Sequence, residues 1–204
     1  SRLVPILLNK GHEVTVYDSM WFTDKYLPHN EQNLKIIKGD IRNTDLIKEH
    51  SKDHNIFLHL GCVSNDASFE LDEKLSKSVN FDSFEPMVQA AKANNVERFI
   101  YASTSSVYGI SDQKNVTEDH PKKPITLYSK YKILCEPILN KYADESFTCV
   151  SYRPATVCGY GPRLRLDVSV NILTNHAYFN NKIIVFGGDQ LRPNLHILDY
   201  CAAV

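Results

Sequence analysis

Strand-like and helix-like patterns alternate along this chain, and that alternation limits its possible folds more than any other feature. EVTVYD at 13–18 and LKIIKG at 34–39 alternate apolar and polar residues with the period of two of a strand. NIFLHL at 55–60 and ERFIYAS at 97–103 are short apolar runs, as expected of strands covered on both faces, and FTCVSYR at 147–153 is a further strand. Helical spacing lies between them, at about 1–10, 43–53, 77–94 and 126–143. Strand–helix–strand alternation with short links predicts a doubly wound parallel α/β sheet.

Both ends are abrupt. SRLVPILLNKGHEVTVYD reads as a helix closed at Gly11 and then a strand, with no strand ahead of the helix. LHILDYCAAV reads as a strand entering a helix. The chain is therefore expected to be part of a longer protein, with a dinucleotide-binding domain over 1–160 and the start of a substrate domain over 161–204. The net charge of −1 gives no electrostatic footprint for nucleic acid. No apolar run reaches membrane-span length, and no signal peptide is read at the start. The five cysteines are scattered without a C-x-x-C, and the histidines lack metal spacing. We read them as reduced thiols of a cytoplasmic protein and expect no zinc site.

Asp18 closes the first strand. In a dinucleotide-binding βαβ unit an acid at this place hydrogen-bonds the adenosine ribose; the other reading is a strand-end turn former. The glycine-rich turn that cradles a pyrophosphate is absent from these 204 residues. No arginine follows Asp18 closely, which favours NAD over NADP.

LYSKYK at 127–132 contains two tyrosines and two lysines. On a helix, positions i and i+4 share a face, and Tyr128 with Lys132 is the only Tyr–Lys pair of the stretch that meets this condition. A free phenol, with a pKa near ~10, is a poor base at neutral pH. A neighbouring ammonium stabilises the phenolate and makes Tyr128 a candidate acid/base for a sugar hydroxyl or carbonyl. The hydroxyl-rich STSSVYG at 103–109 follows a strand, at the sheet end where α/β folds place ligands. Thr104 is positioned there to hydrogen-bond the oxygen that Tyr128 protonates.

VYD at 16–18, KGDIR at 38–42, HLGC at 59–62, VN at 79–80, STSSVYG at 103–109, YSKYK at 128–132, RPATVCG at 153–159 and LRPNLHILD at 191–199 occur in an order and spacing that resemble the extended short-chain dehydrogenase/reductases, specifically nucleotide-sugar epimerases and dehydratases. The resemblance covers essentially the whole chain. It implies Tyr128 as acid/base, Lys132 on the nicotinamide ribose and Thr104 as the hydroxyl partner. It implies Asp18 on ribose, Asp40 and Ile41 flanking adenine, and Leu60, Gly61 and Cys62 lining the cofactor. Asn80 would buttress the central helix, and Pro154, Ala155 and Thr156 would follow the strand beside the nicotinamide. Arg192 would pair with the diphosphate of a nucleotide sugar. The helices at 77–94 and 126–143 would form a four-helix bundle between two subunits of a homodimer.

Two further departures from the family pattern bear on the reaction. Dehydratases of this family carry Asp-Glu after the catalytic threonine, where this chain has Ser105 and Ser106, so dehydration is disfavoured. Cys158 stands where the family has a tyrosine; a half-buried filler is favoured over an acid/base. Asn65 and Asp66 would face the sugar or form a turn. Glu118 reads as a cap, Phe186 as a base-stacking or a buried strand aromatic, and His196 and Asp199 as a structural tie from strand to helix. Lys122 and Lys123 read as a solvated loop. The expected function is an NAD-dependent nucleotide-sugar epimerase acting by transient hydride transfer. An NAD(P)H-dependent nucleotide-keto-sugar reductase is the alternative, and a non-catalytic dinucleotide-binding relative is the third reading.

Overall fold

A computed structural model describes residues 1–64 and 66–204. The chain forms two compact units, one made of Ser1–Ile37 and Pro154–Val204, the other of Lys38–Arg153.

The second unit is built on three parallel strands in the order β3 (Ile56–His59), β4 (Arg98–Ala102), β5 (Thr148–Tyr152). Leu58 lies beside Ile100, and Ile100 beside Val150. β4 is central, and its Phe99, Ile100, Tyr101 and Ala102 are all buried, as the apolar run predicts. Phe57 stacks on Phe99 with centroids 4.9 Å apart. Phe84, from helix α5 (Phe84–Ala93), meets Tyr101 at 4.6 Å and Phe99 at 6.1 Å. These aromatic contacts place the core where α5 covers the sheet.

Parallel strands need crossovers. β3 reaches β4 through α3 (Asp66–Leu71), α4 (Glu73–Lys77), a π turn (Ser78–Asp82) and α5. The single helix expected over 77–94 is thus broken. Asp72 caps a new start at α4, accepting the Leu75 N–H at 2.9 Å. The hydroxyls of Ser78 and Ser83 bond back to the carbonyls of Leu75 and Val79, which bends helices. The widened turn holds the buried Asn80. α2 (Thr44–His50), capped by Asn43, and α6 (Leu127–Lys141) fall inside the predicted spans.

In the first unit, α1 (Leu3–Asn9) closes before Gly11 at φ +84°, as the sequence predicts. β1 (Val14–Asp18) pairs with β2 (Leu34–Lys38). β6 (Thr156–Cys158) runs parallel to β7 (Asn194–His196), which leads into α8 (Ile197–Ala203). α7 (Ser169–Asn180) is not foreseen in the sequence, because asparagines and hydroxyls interrupt its apolar period. IIVF at 183–186 forms no strand, and Phe186 is 85% exposed, so the buried strand aromatic is not found. Among the described residues, the strands pair as β1 with β2, β3 with β4 with β5, and β6 with β7. No helix among the described residues is long and apolar enough to cross a membrane.

Candidate active site

The start of α6 fixes the candidate acid/base. Thr126 Oγ1 accepts the Ser129 N–H at 3.3 Å, and Ser129 Oγ accepts the Thr126 N–H at 3.2 Å. This reciprocal cap sets the first helical turn, and Tyr128 is its second residue. Lys132 follows one turn later with 3% of its surface exposed. Its Nζ donates to the Ala102 carbonyl at 2.8 Å and lies 5.9 Å from the Tyr128 ring centroid. The i, i+4 pairing read from the sequence is therefore formed, with the ammonium held at the C-terminal end of β4.

Thr104 follows β4 by two residues and is buried. It is extended (φ −160°, ψ 147°) and begins a 3₁₀ turn, Ser105–Tyr108. Its Oγ1 accepts the Ser106 N–H at 3.2 Å. Accepting rather than donating leaves the hydroxyl hydrogen for a substrate oxygen. Gly109, at φ +68°, ends the turn where an added Cβ would lie 2.2 Å from the Lys123 carbonyl oxygen. Ser105 is half-buried and Ser106 exposed beside it.

Tyr101 shows how environment separates two phenols. Its hydroxyl donates to the Lys132 carbonyl at 3.3 Å, its ring lies 4.9 Å from Lys132 Nζ, and burial pushes its pKa well above the ordinary value. Tyr101 is a neutral structural phenol, whereas Tyr128 is only half-buried.

The segment after β3 is held from below. Asn80 Oδ1 accepts the Val63 N–H at 2.8 Å, and its Nδ2 donates to the Val63 carbonyl at 2.9 Å. The Asn80 carbonyl accepts from the Cys135 thiol of α6 at 3.4 Å. Burial pushes that thiol up to about 12. Leu60 and Gly61 are exposed and Cys62 half-buried. An added Cβ on Gly61 would touch the Ile41 side chain at 3.6 Å, so Ile41 and Gly61 share one wall. Asp40 is engaged by Arg42 through Nε at 2.9 Å, and this hydrogen bonding draws its carboxyl below the usual range.

Asp18, Pro154 and Arg192 belong to the other unit. The exposed Asp18 carboxylate accepts the Met20 N–H at 2.7 Å, the turn-forming geometry that was one of its two readings. Arg192 is exposed and Pro154 half-buried. Thr156 opens β6. His196 Nδ1 accepts the Leu198 N–H at 3.4 Å and so caps α8, the structural tie expected of it. Asn65 lies outside the described residues. All five cysteines are free thiols, and no group able to hold a metal ion is found among the described residues.

Sequence reasoning assigned no role to Glu136, Arg153, Ser103 or Tyr108. Glu136 is 5% exposed and lies one further turn along the Tyr128–Lys132 face. That i+8 position was the available signal.

The chain belongs to the NAD dependent epimerase/dehydratase family, whose model matches residues 1–204. It is 31% identical over 179 residues to human dTDP-D-glucose 4,6-dehydratase, covering 85% of this chain and 50% of that one. It is 26% identical over 220 residues to the UDP-glucose 4-epimerase of Lactobacillus helveticus, covering 98% and 64%. The solved structure of MoeE5 in complex with UDP-glucose and NAD superposes with a TM-score of 0.82 at 27% identity, over 98% of this chain and 65% of that one. The chain thus spans from half to about two thirds of these relatives.

Proposed function

We propose that the whole protein is an NAD-dependent nucleotide-sugar epimerase and that Tyr128, Lys132 and Thr104 form its acid/base site. One observation carries this reading: the buried Lys132 ammonium, tied to the Ala102 carbonyl, stands beside the Tyr128 ring at the end of β4. An ammonium in that place favours the phenolate, which is the form that removes a proton. Thr104 donates its free hydroxyl hydrogen to the same substrate oxygen. Ser105 and Ser106 stand where a dehydratase needs an acid and a base, which favours epimerisation over elimination of water.

The residues present fit the cofactor. Ile41 and Gly61 share a wall that would line the cofactor together with the neighbouring Leu60 and Cys62, and Asp18 exposes a carboxylate suited to a ribose hydroxyl. Lys132 keeps donors beyond the Ala102 bond that would serve the nicotinamide ribose. When bound, NAD supplies a reversible hydride acceptor. Tyr128 takes the hydroxyl proton as the sugar is oxidised and gives it back after the keto sugar has turned over. Arg192 and the 161–204 segment serve the nucleotide diphosphate and the sugar. α5 and α6 serve as the homodimer face, with Leu134 48% exposed on α6. We place the protein in the cytoplasm.

The test uses the full-length protein with a panel of nucleotide sugars and nucleotide keto-sugars, with NAD and separately with NAD(P)H. Sugar products are followed by NMR together with nicotinamide absorbance. A new isomer with no net change in nicotinamide supports the epimerase. Product formed with equal loss of NAD(P)H replaces it with the reductase.

A further inference from the structure

The buried pair Glu136–Arg153 connects the helix of the acid/base site to the segment that carries Thr104. Arg153 follows β5 and presents its guanidinium as a fork, Nε to Glu136 Oε1 at 2.9 Å and Nη2 to Oε2 at 2.6 Å. Their side chains are 15% and 7% exposed. Glu136 Oε1 also accepts from Ser103 Oγ at 2.7 Å, and Ser103 immediately precedes Thr104. Arg153 Nη1 donates to the Tyr108 hydroxyl at 2.7 Å, at the far end of the Ser105–Tyr108 turn, and to the Glu118 carbonyl at 3.2 Å. The Arg153 guanidinium also lies 5.3 Å from the Tyr108 ring centroid. The Thr104 turn is thus held at both ends by one ion pair whose acid lies on the Tyr128–Lys132 face of α6.

The position of Glu136 is itself constrained. It precedes Pro137 inside α6, and the residue before a proline is disfavoured in helical conformation. Its three bonds from Ser103 and Arg153 offset that preference.

We propose that Glu136 and Arg153 are positioning residues that act through Ser103 and Tyr108 to fix the Thr104 hydroxyl relative to Tyr128 and Lys132. This inference rests on the acid/base reading of Thr104, Tyr128 and Lys132. Displacement of a catalytic group by about an ångström is enough to cost on the order of a hundredfold in rate.

The test is a double-mutant cycle in the full-length enzyme. Tyr108→Phe removes one strut and keeps the ring and the ion pair; Thr104→Ala removes the group being positioned. Tyr108→Phe is expected to lower kcat about tenfold with KM unchanged and the enzyme fully folded at the assay temperature. Tyr108→Phe in the Thr104→Ala background is expected to add no further loss. Ser103→Ala serves as the second strut variant and is expected to behave alike. Losses that multiply in the double variant, or that follow the thermal midpoint, overturn the positioning role. Full activity in Thr104→Ala overturns the acid/base reading, and this inference with it; a Thr104→Ala of reduced but measurable kcat with multiplicative losses in the double variant overturns the positioning role alone.

Discussion

Lys132 Nζ donates to the carbonyl oxygen of Ala102 at 2.8 Å, across 30 residues of sequence. The bond links the helix bearing Tyr128 to the last residue of the central strand. It also makes a buried ammonium tolerable, because the carbonyl and the flanking Tyr101 ring replace part of its lost hydration. Lys132→Met keeps the buried stem and removes the charge. We expect kcat to fall at least about a hundredfold, and Tyr128→Phe to cost about 10²–10⁴-fold. Product formation on the substrate found for the full-length protein checks both, and wild-type turnover by Tyr128→Phe would remove the phenol from the mechanism.

Asn80 makes two bonds to Val63, which holds the 60–63 wall against α6. Asn80→Ala leaves a backbone N–H and C=O without these partners. A stability loss of about 1–3 kcal/mol is expected. NAD affinity should weaken in the same variant, since Leu60, Gly61 and Cys62 lie on that segment. Denaturant titration and NAD titration by calorimetry measure the two effects. Unchanged affinity would show that this wall does not bear on the cofactor.

Most of the secondary structure is legible in the sequence because its signals are local. EVTVYD and ERFIYAS carry strand patterns that the structure realises as β1 and β4, and the Tyr128–Lys132 spacing needs only the geometry of one helix. The 77–94 break depends on serine back-bonding and on Asn80 turning inward, which no apolar period reports. Glu136 and Arg153 were passed over because each alone reads as an ordinary charged residue, on a helix or at a strand end. Their role exists only once β5, the Thr104 turn and α6 converge.

Gly109 sits at φ +68° and ψ −143°, a region that side chains rarely adopt. A Cβ there would also strike the Lys123 carbonyl. Gly109→Ala is expected to destabilise the fold by about 1–3 kcal/mol. Because the residue ends the Thr104 turn, kcat should fall in parallel. A folded, fully active Gly109→Ala enzyme with an unchanged denaturation midpoint would contradict the strain.

His59 ends β3 within an aromatic cluster, its ring 5.7 Å from Tyr101 and 5.6 Å from Phe84. Burial, and then the Lys132 charge, lower its pKa from 6.5 to about 3. A base whose pKa is depressed on folding favours the unfolded state once the unfolded chain can take up the proton and the folded chain cannot. The stability it permits is therefore complete above about pH 6.5 and is lost as pH falls towards 3. Within that window the slope approaches ~1.4 kcal/mol per pH unit. Between about pH 6 and 5 most carboxylates remain ionised, so the histidine term can be separated from theirs. Urea titrations over that range should show wild type losing stability more steeply than His59→Gln, which has no group to protonate. Equal slopes in the two proteins would mean that His59 is not held neutral by the folded core.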